Sequence, residues 1–199
     1  MYNVAVGERR SVIINLRGTH GSGKSHTILG LLEKGKAKPI RGQLGIRKPE
    51  AYELKLPGVP KPVYVLGPYT NKCGGCDAIQ PYDIILELIE RYAAKGHVIF
   101  EGALVSSSYG RVGRLMEKWG QEAVMAFMAL PIEDCLGNVR TRRAARGDER
   151  VLDPHNTESK FKQVTNSREK IRAEGKLRVV DVPPKQGILV VLTLLKEAE

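Results

Sequence analysis

Residues 11–35, SVIINLRGTHGSGKSHTILGLLEKG, leave this chain little freedom in how it folds. SVIINL is an apolar, β-branched run that reads as a buried strand. Lys24 to Lys34 reads as a helix, with Ile28, Leu31 and Leu32 on its inner face and Gly35 ending it. Between them GTHGSGKS, residues 18–25, fits the phosphate-cradling pattern G-x-x-x-x-G-K-[ST]. Gly18, Gly21 and Gly23 let the backbone fold tightly around phosphates and point its N–H groups inward at a helix N-terminus. Lys24 would then reach the β/γ-phosphates of a nucleoside triphosphate, and the Ser25 hydroxyl would ligate Mg2+. The expected cradle is Gly18, Thr19, His20, Gly21, Ser22, Gly23, Lys24, Ser25 and His26.

The rest of the chain repeats the alternation of apolar runs and helical periods, which marks a βαβ protein with a parallel sheet. After a Gly-, Pro- and Lys-rich stretch at 36–61, AYELKL and PVYVLG (62–67) fit a hairpin across PGVPK. Pro81 opens a helix whose apolar positions Ile84, Ile85, Leu88, Ile89 and Tyr92 share one side. HVIFEG (97–102) is a short buried strand, followed by a Ser-rich turn at 106–108 and a helix through Trp119. AVMAFMAL (123–130) is a further strand, 132–146 a helix that becomes very basic, and 157–174 a polar helix. KLRVVDV (176–182) and GILVVLTLLKEAE supply the last strand and the closing helix. The expectation is one α/β domain over 1–199, a five-stranded mostly parallel sheet with helices on both faces.

Three cysteines argue against a disulfide framework and for a reducing compartment. The N-terminus lacks an uninterrupted apolar segment, so no signal peptide is expected. The run ILVVLTLL is far short of the roughly 18–20 residues of a membrane span. A cytoplasmic protein without a membrane partner is therefore expected. The net charge of +10 is uneven. Residues 34–61 hold eight Lys/Arg against two acids, and residues 140–178 hold twelve against six. The intervening 62–139 holds six basic against nine acidic residues. Two basic zones flanking a mildly acidic body suit a polyanionic partner such as nucleic acid, although triphosphate binding and solubility also draw cations.

Glu101 ends the HVIFE strand, where an open parallel sheet meets its ligand crevice, and could hold Mg2+ directly or through water. The alternative is a surface acid at the Gly102 turn. In NVRTRRAARG, Arg140, Arg143 and Arg146 recur at about helical spacing, with Arg142 one position round. They would neutralise charge on a moving phosphoryl group, or else form a solvated basic face. The loop LGPYTNKCGGCDAIQP (66–81) also lies at the crevice edge. Cys73 and Cys76 have half the spacing of a zinc site, and a redox dithiol is a second alternative. The favoured reading is a substrate loop, with Tyr69, Gly74, Gly75 and Asp77 beside the acceptor and Arg41 and Arg47 in the basic stretch near it.

The spacing G-x-x-G-x-G-K-S, with DCLGNVRTRRAARGD further on, resembles the nucleotide-kinase branch of P-loop proteins. That resemblance implies a three-layer α/β sandwich with an arginine-bearing lid at about 132–156 and a basic insert at about 35–61. GPYTNKCGGCD after the second core strand and the FEG strand end resemble phage kinases that phosphorylate 5-hydroxymethyluracil within DNA. The resemblance implies ATP and Mg2+ as cofactors, a hydroxyl acceptor in DNA, and Asp77 as the base at that hydroxyl. A free nucleoside or nucleotide as acceptor, or a P-loop NTPase that binds nucleic acid, are the other readings.

Overall fold

In the computed structural model, residues 11–42, 48–70, 74–107, 109–148 and 150–199 are described. The elements run β1 (Ile13–Arg17), α1 (Lys24–Lys34), β2 (Lys38–Arg41), β3 (Pro49–Leu54), β4 (Val63–Leu66), α2 (Tyr82–Ala93) and β5 (His97–Glu101). They continue with α3 (Ala103–Ser107), α4 (Gly110–Glu117), β6 (Ala123–Met128), α5 (Ile132–Ala144), α6 (His155–Glu174), β7 (Arg178–Val182) and α7 (Gly187–Glu197).

Among the described residues one sheet takes all seven strands in the order β2-β3-β4-β5-β1-β6-β7. The expected five are the parallel set β4, β5, β1, β6 and β7. The expectation of five strands is corrected by two additional antiparallel strands at the edge. β3 pairs with β4, Ala51 opposite Leu66 and Leu54 opposite Val63, which is the expected hairpin. β2 then pairs with β3 as the outermost strand. Its sequence KPIR is almost wholly exposed, and Lys and Pro are residues that blunt a sheet edge. Such a strand has no apolar alternation by which to announce itself.

Side-chain alternation splits the core into two layers. Val12, just before β1, and Ile14 and Leu16 on it face the cluster that Ile28 and Leu31 of α1 share with Val191 and Leu195 of α7. Ile13, with Phe100 of β5 and Met125 of β6, belongs to the opposite cluster beneath α2, α4 and α6. β1 connects out toward β4, whereas β5 connects across to β6, so the direction of the connections reverses between the parallel neighbours β1 and β5. In an open α/β sheet the crevice above that reversal is where ligands bind. Both the 18–25 loop and Glu101 emerge there.

The far end of the sheet is closed by a buried histidine. His97 Nδ1 accepts from the Val12 N–H at 3.0 Å, and His97 Nε2 lies 2.9 Å from Glu199 Oε1, which also accepts from the Lys61 N–H at 3.1 Å. With Nδ1 an acceptor, the ring fits this site as the neutral tautomer that donates from Nε2. Burial lowers the His97 pKa below its usual 6.5, against the opposing pull of Glu199. The unfolded chain therefore binds a proton that the folded chain refuses. This contribution to stability is full above about pH 6.5 and is lost as pH falls through the lowered folded value. Denaturant unfolding at about pH 7.5 and about pH 5.5 should show His97→Gln losing less stability on acidification than the parent. An identical loss in both proteins would mean that His97 is not the titrating group.

Candidate active site

The phosphate-cradling loop is built by strain-tolerant positions and by contacts from α5 and α6. Gly23, the residue before α1, has φ 94°, and Gly21 has φ 76°. A β-carbon on Gly21 would collide with the carbonyl of Cys135 in α5, so this position is closed to other residues by packing as well as by backbone. Asn138 of α5 donates from Nδ2 to the Gly21 carbonyl at 2.9 Å. Thr19 is buried and donates from Oγ1 to the Thr157 carbonyl at 2.9 Å, tying the loop to α6. Lys24 is buried with Nζ donating to the carbonyls of Gly18 at 2.7 Å and Thr19 at 3.0 Å. Ser22 is buried too, and its Oγ has no hydrogen-bond partner among the described residues. A phosphate oxygen would satisfy that hydroxyl, so the loop fits a polyphosphate. His20 and His26 sit at the mouth. Burial, with the charge of Lys24 next, holds His20 below the usual histidine pKa.

Glu101 closes β5 and is buried at 2% exposure. Its Oε1 accepts from Ser25 Oγ at 3.0 Å and from the Tyr69 hydroxyl at 3.4 Å. Burial raises the Glu101 pKa, with the nearby Lys24 charge opposing. Burial likewise lowers the Lys24 pKa, with Glu101 the largest opposing influence. The two charges thus shelter each other in a site that costs each of them hydration. Gly75, φ 88°, passes so close to this carboxylate that a β-carbon would lie 2.7 Å from Glu101 Oε1. A serine hydroxyl beside one buried carboxylate is a donor set that fits Mg2+, which keeps several waters and shares substrate phosphates. It does not resemble a closed protein cage, and no cluster of three or more His, Cys, Asp or Glu that could hold a metal occurs among the described residues.

A cleft of about 1420 Å³ joins the loop, the strand end and the basic helix. From α5 and its end it takes Asp134, Asn138, Arg142 and Arg146, a stripe of four-residue steps. Arg146 is thus at the cleft, as expected, whereas Arg140 and Arg143 are not among its lining residues and Arg142 is. The helix phase separates them: Arg142 follows Asn138 by four residues on the cleft side, Arg143 follows the buried Val139 by four residues, and Arg140 is exposed. Sequence reading missed Asn138, although it precedes Arg142 by four residues.

On the other side of the cleft stand Gly74 and Asp77, the latter on a single 3-10 turn at Cys76–Ala78. Both carboxylate oxygens of Asp77 accept backbone N–H groups, Oδ2 from Ala103 at 2.6 Å and Oδ1 from Leu104 at 3.0 Å. Asp77 therefore caps the start of α3 while facing the cleft. Tyr69 stands next to Glu101 and tilts against Tyr52 with ring centroids 6.2 Å apart. Arg41 lies two strands beyond β4 at the crevice end of β2, and Arg47 lies outside the described residues. Cys73 also lies outside them. Its partner in the zinc and dithiol alternatives, Cys76, is buried, and that burial pushes its thiol pKa well up.

No family model matches the chain. It is 38% identical over 165 residues to a 5-hmdU DNA kinase of Pseudomonas phage PaMx11, covering 82% of this chain and 86% of that one. A 5-hmdU DNA kinase of Pseudomonas phage M6 is 27% identical over 175 residues, covering 81% and 86%. One from Delftia phage PhiW-14 is 24% identical over 173 residues, covering 79% and 63%. Among solved structures, the deoxyadenosine kinase of M. mycoides with bound dCTP aligns with TM-score 0.46 at 13% identity, covering 94% of this chain and 100% of that one. On the strength of the first of these relatives, the chain belongs to the family of 5-hmdU DNA kinases and is a phosphotransferase.

Proposed function

We propose that the protein transfers the γ-phosphoryl group of ATP to the hydroxymethyl oxygen of 5-hydroxymethyluracil in DNA, in the cytoplasm of a host cell. The observation that carries this reading is the Ser25–Glu101 pair at the cleft, with the cradle on one side of it and Asp77 on the other. The names of the phage relatives supply the acceptor. We read residues 1–199 as one catalytic unit with a lid at about 132–156.

In this reading Lys24 and the loop N–H groups hold the β/γ-phosphates, and Ser22 Oγ adds a donor. Ser25 and Glu101 hold Mg2+, which supplies charge neutralisation on the phosphates when bound. Arg142 and Arg146 approach from the lid and stabilise the charge that spreads over the moving group. Each oxygen of Asp77 keeps a lone pair beyond its backbone bond, so the carboxylate can orient the acceptor hydroxyl and take its proton. The transition state is loose, so placing that hydroxyl in line matters more than stripping it early.

The basic insert divides by register. Lys38 pairs with Glu53 at the far end of the sheet, whereas Arg41 pairs with Pro49 at the crevice end, next to Lys48. Both Arg41 and Lys48 are exposed. Strands lie about 4.8 Å apart, so Arg41 on β2 stands about 10 Å from β4 and Lys48, just before β3, about 5 Å, within reach of phosphates flanking a flipped nucleotide.

ADP release measured across hydroxymethyluracil DNA, unmodified DNA and free nucleosides should rise only with the first. A higher rate with free nucleosides would move the acceptor to a small molecule. Lys24→Ala should lower that rate by ~10²–10³-fold with the fold retained, the range for losing one preorganised charge contact. Asp77→Asn should slow transfer at least ~10²-fold while ATP affinity stays near the parent's. Loss of ATP affinity instead would place Asp77 in the metal site. Replacing Arg41 and Lys48 with alanine should reduce the slope of log affinity for DNA against log salt by about 0.7–0.9 per lost contact, and an unchanged slope would leave them as solvated surface.

A further inference from the structure

α3 is only five residues long, ALVSS, and a helix this short makes few hydrogen bonds of its own. Its position is set from outside, at both ends. At its start the N–H groups of Ala103 and Leu104 donate to the two oxygens of Asp77. Near its end the Ser106 carbonyl accepts from Nη2 of Arg17 at 2.6 Å. Between them Val105 is buried in the apolar layer shared with α2 and α4. The helix packs on β1, on α6 and on the turn that carries Asp77.

Arg17 closes β1 and directly precedes Gly18 of the cradle. It is fully buried and lies 5.4 Å over the ring of Phe127 on β6. The Nη2 that reaches α3 also donates to Ser167 Oγ of α6 at 3.2 Å. Burial lowers its pKa to about 10, so it remains a cation at neutral pH. Taking a guanidinium out of water is unfavourable, and a methionine would occupy the space without that penalty. What the guanidinium adds is a charged donor at the end of a helix, where carbonyls have no partner within the helix.

Asp77 depends on α3 in turn. Its side chain is exposed on a single 3-10 turn, and its hydrogen bonds among the described residues are the two to α3. Gly102, between Glu101 and α3, is pressed against the same group, since a β-carbon there would lie 2.9 Å from Asp77 Oδ1. A shift of α3 therefore carries the carboxylate with it. We propose that Arg17 is a positioning residue for phosphoryl transfer: through α3 it fixes where the Asp77 carboxylate meets the acceptor hydroxyl. This rests on the functional reading above, which places Asp77 at that hydroxyl. Arg17 does not line the cleft, so it acts on geometry alone. A misplacement of about 1 Å in Asp77 slows transfer without weakening the hold on the nucleotide.

The test is Arg17→Met in a double-mutant cycle with Asp77→Asn, read as transfer from ATP to a hydroxymethyluracil oligonucleotide. Arg17→Met should lower kcat by roughly 10–100-fold, with KM for ATP and for the oligonucleotide near the parent's. In the Asp77→Asn background the same substitution should cost almost nothing further, because the group it positions is gone. Arg17→Lys, whose ammonium ends one bond short of Nη2, enters the same cycle, so the result does not hang on methionine being tolerated. Equal losses with and without the Asp77 carboxylate overturn the proposal, since Arg17 would then serve the fold alone. A loss confined to KM for ATP overturns it too, because it ties Arg17 to the cradle that follows it. If Asp77→Asn alone transfers at the parent's rate, or the parent does not phosphorylate the oligonucleotide, the functional reading fails and the proposal falls with it.

Discussion

A single buried carboxylate organises this molecule. Glu101 stands at the end of β5 with Ser25 and Tyr69 hydrogen-bonded to the same oxygen and Gly75 pressed against it. A lone carboxylate this deep is unfavourable, so its surroundings have to supply compensating charge and donors. Lys24 supplies the charge and α1 the nearest hydroxyl, which fixes where the phosphate-cradling loop begins its helix. The loop after β4 supplies Tyr69, whose hydroxyl donates to the same oxygen. Cradle loop, strand end and the loop after β4 are thereby locked around one point.

The two faces of β1 then divide the labour. One face packs α1 and α7 in a purely apolar cluster and supports the cradle rigidly. The other face interrupts its apolar layer with Asn15 and Arg17 and places short α3 over them, so it is the less well satisfied of the two. α5 bridges the two sides by holding Gly21 through Asn138 and presenting Arg142 and Arg146 to the cleft.

Much of this was legible in the sequence because its signals are local. GTHGSGKS is contiguous, and the five parallel strands are predominantly apolar runs. Glu101 could be placed because it ends one of those runs. What stayed hidden depends on phase or on contacts far apart in the chain. β2 is an exposed Lys–Pro edge without periodicity. α3 is five residues ending in serines, so it read as a turn. Spacing alone offered Arg140, Arg143 and Arg146, and only the helix phase, with Asn138 four residues before Arg142 on the cleft side, fixed which face of α5 meets the cleft. Asn15 was invisible because one polar letter in SVIINL does not disturb the reading of a buried strand. The capping of α3 by Asp77 joins residues 26 positions apart, beyond any local pattern.

The central claim is that the phosphoryl group ends on the hydroxymethyl oxygen of a base within DNA. The most direct measurement incubates the protein with γ-labelled ATP and a hydroxymethyluracil oligonucleotide, digests the product to single nucleosides and reads their masses. The account predicts labelled phosphate on the 5-hydroxymethyl group of the modified uracil and on no other nucleoside. Label released as inorganic phosphate, or carried on an oligonucleotide end or a free nucleoside, would contradict it.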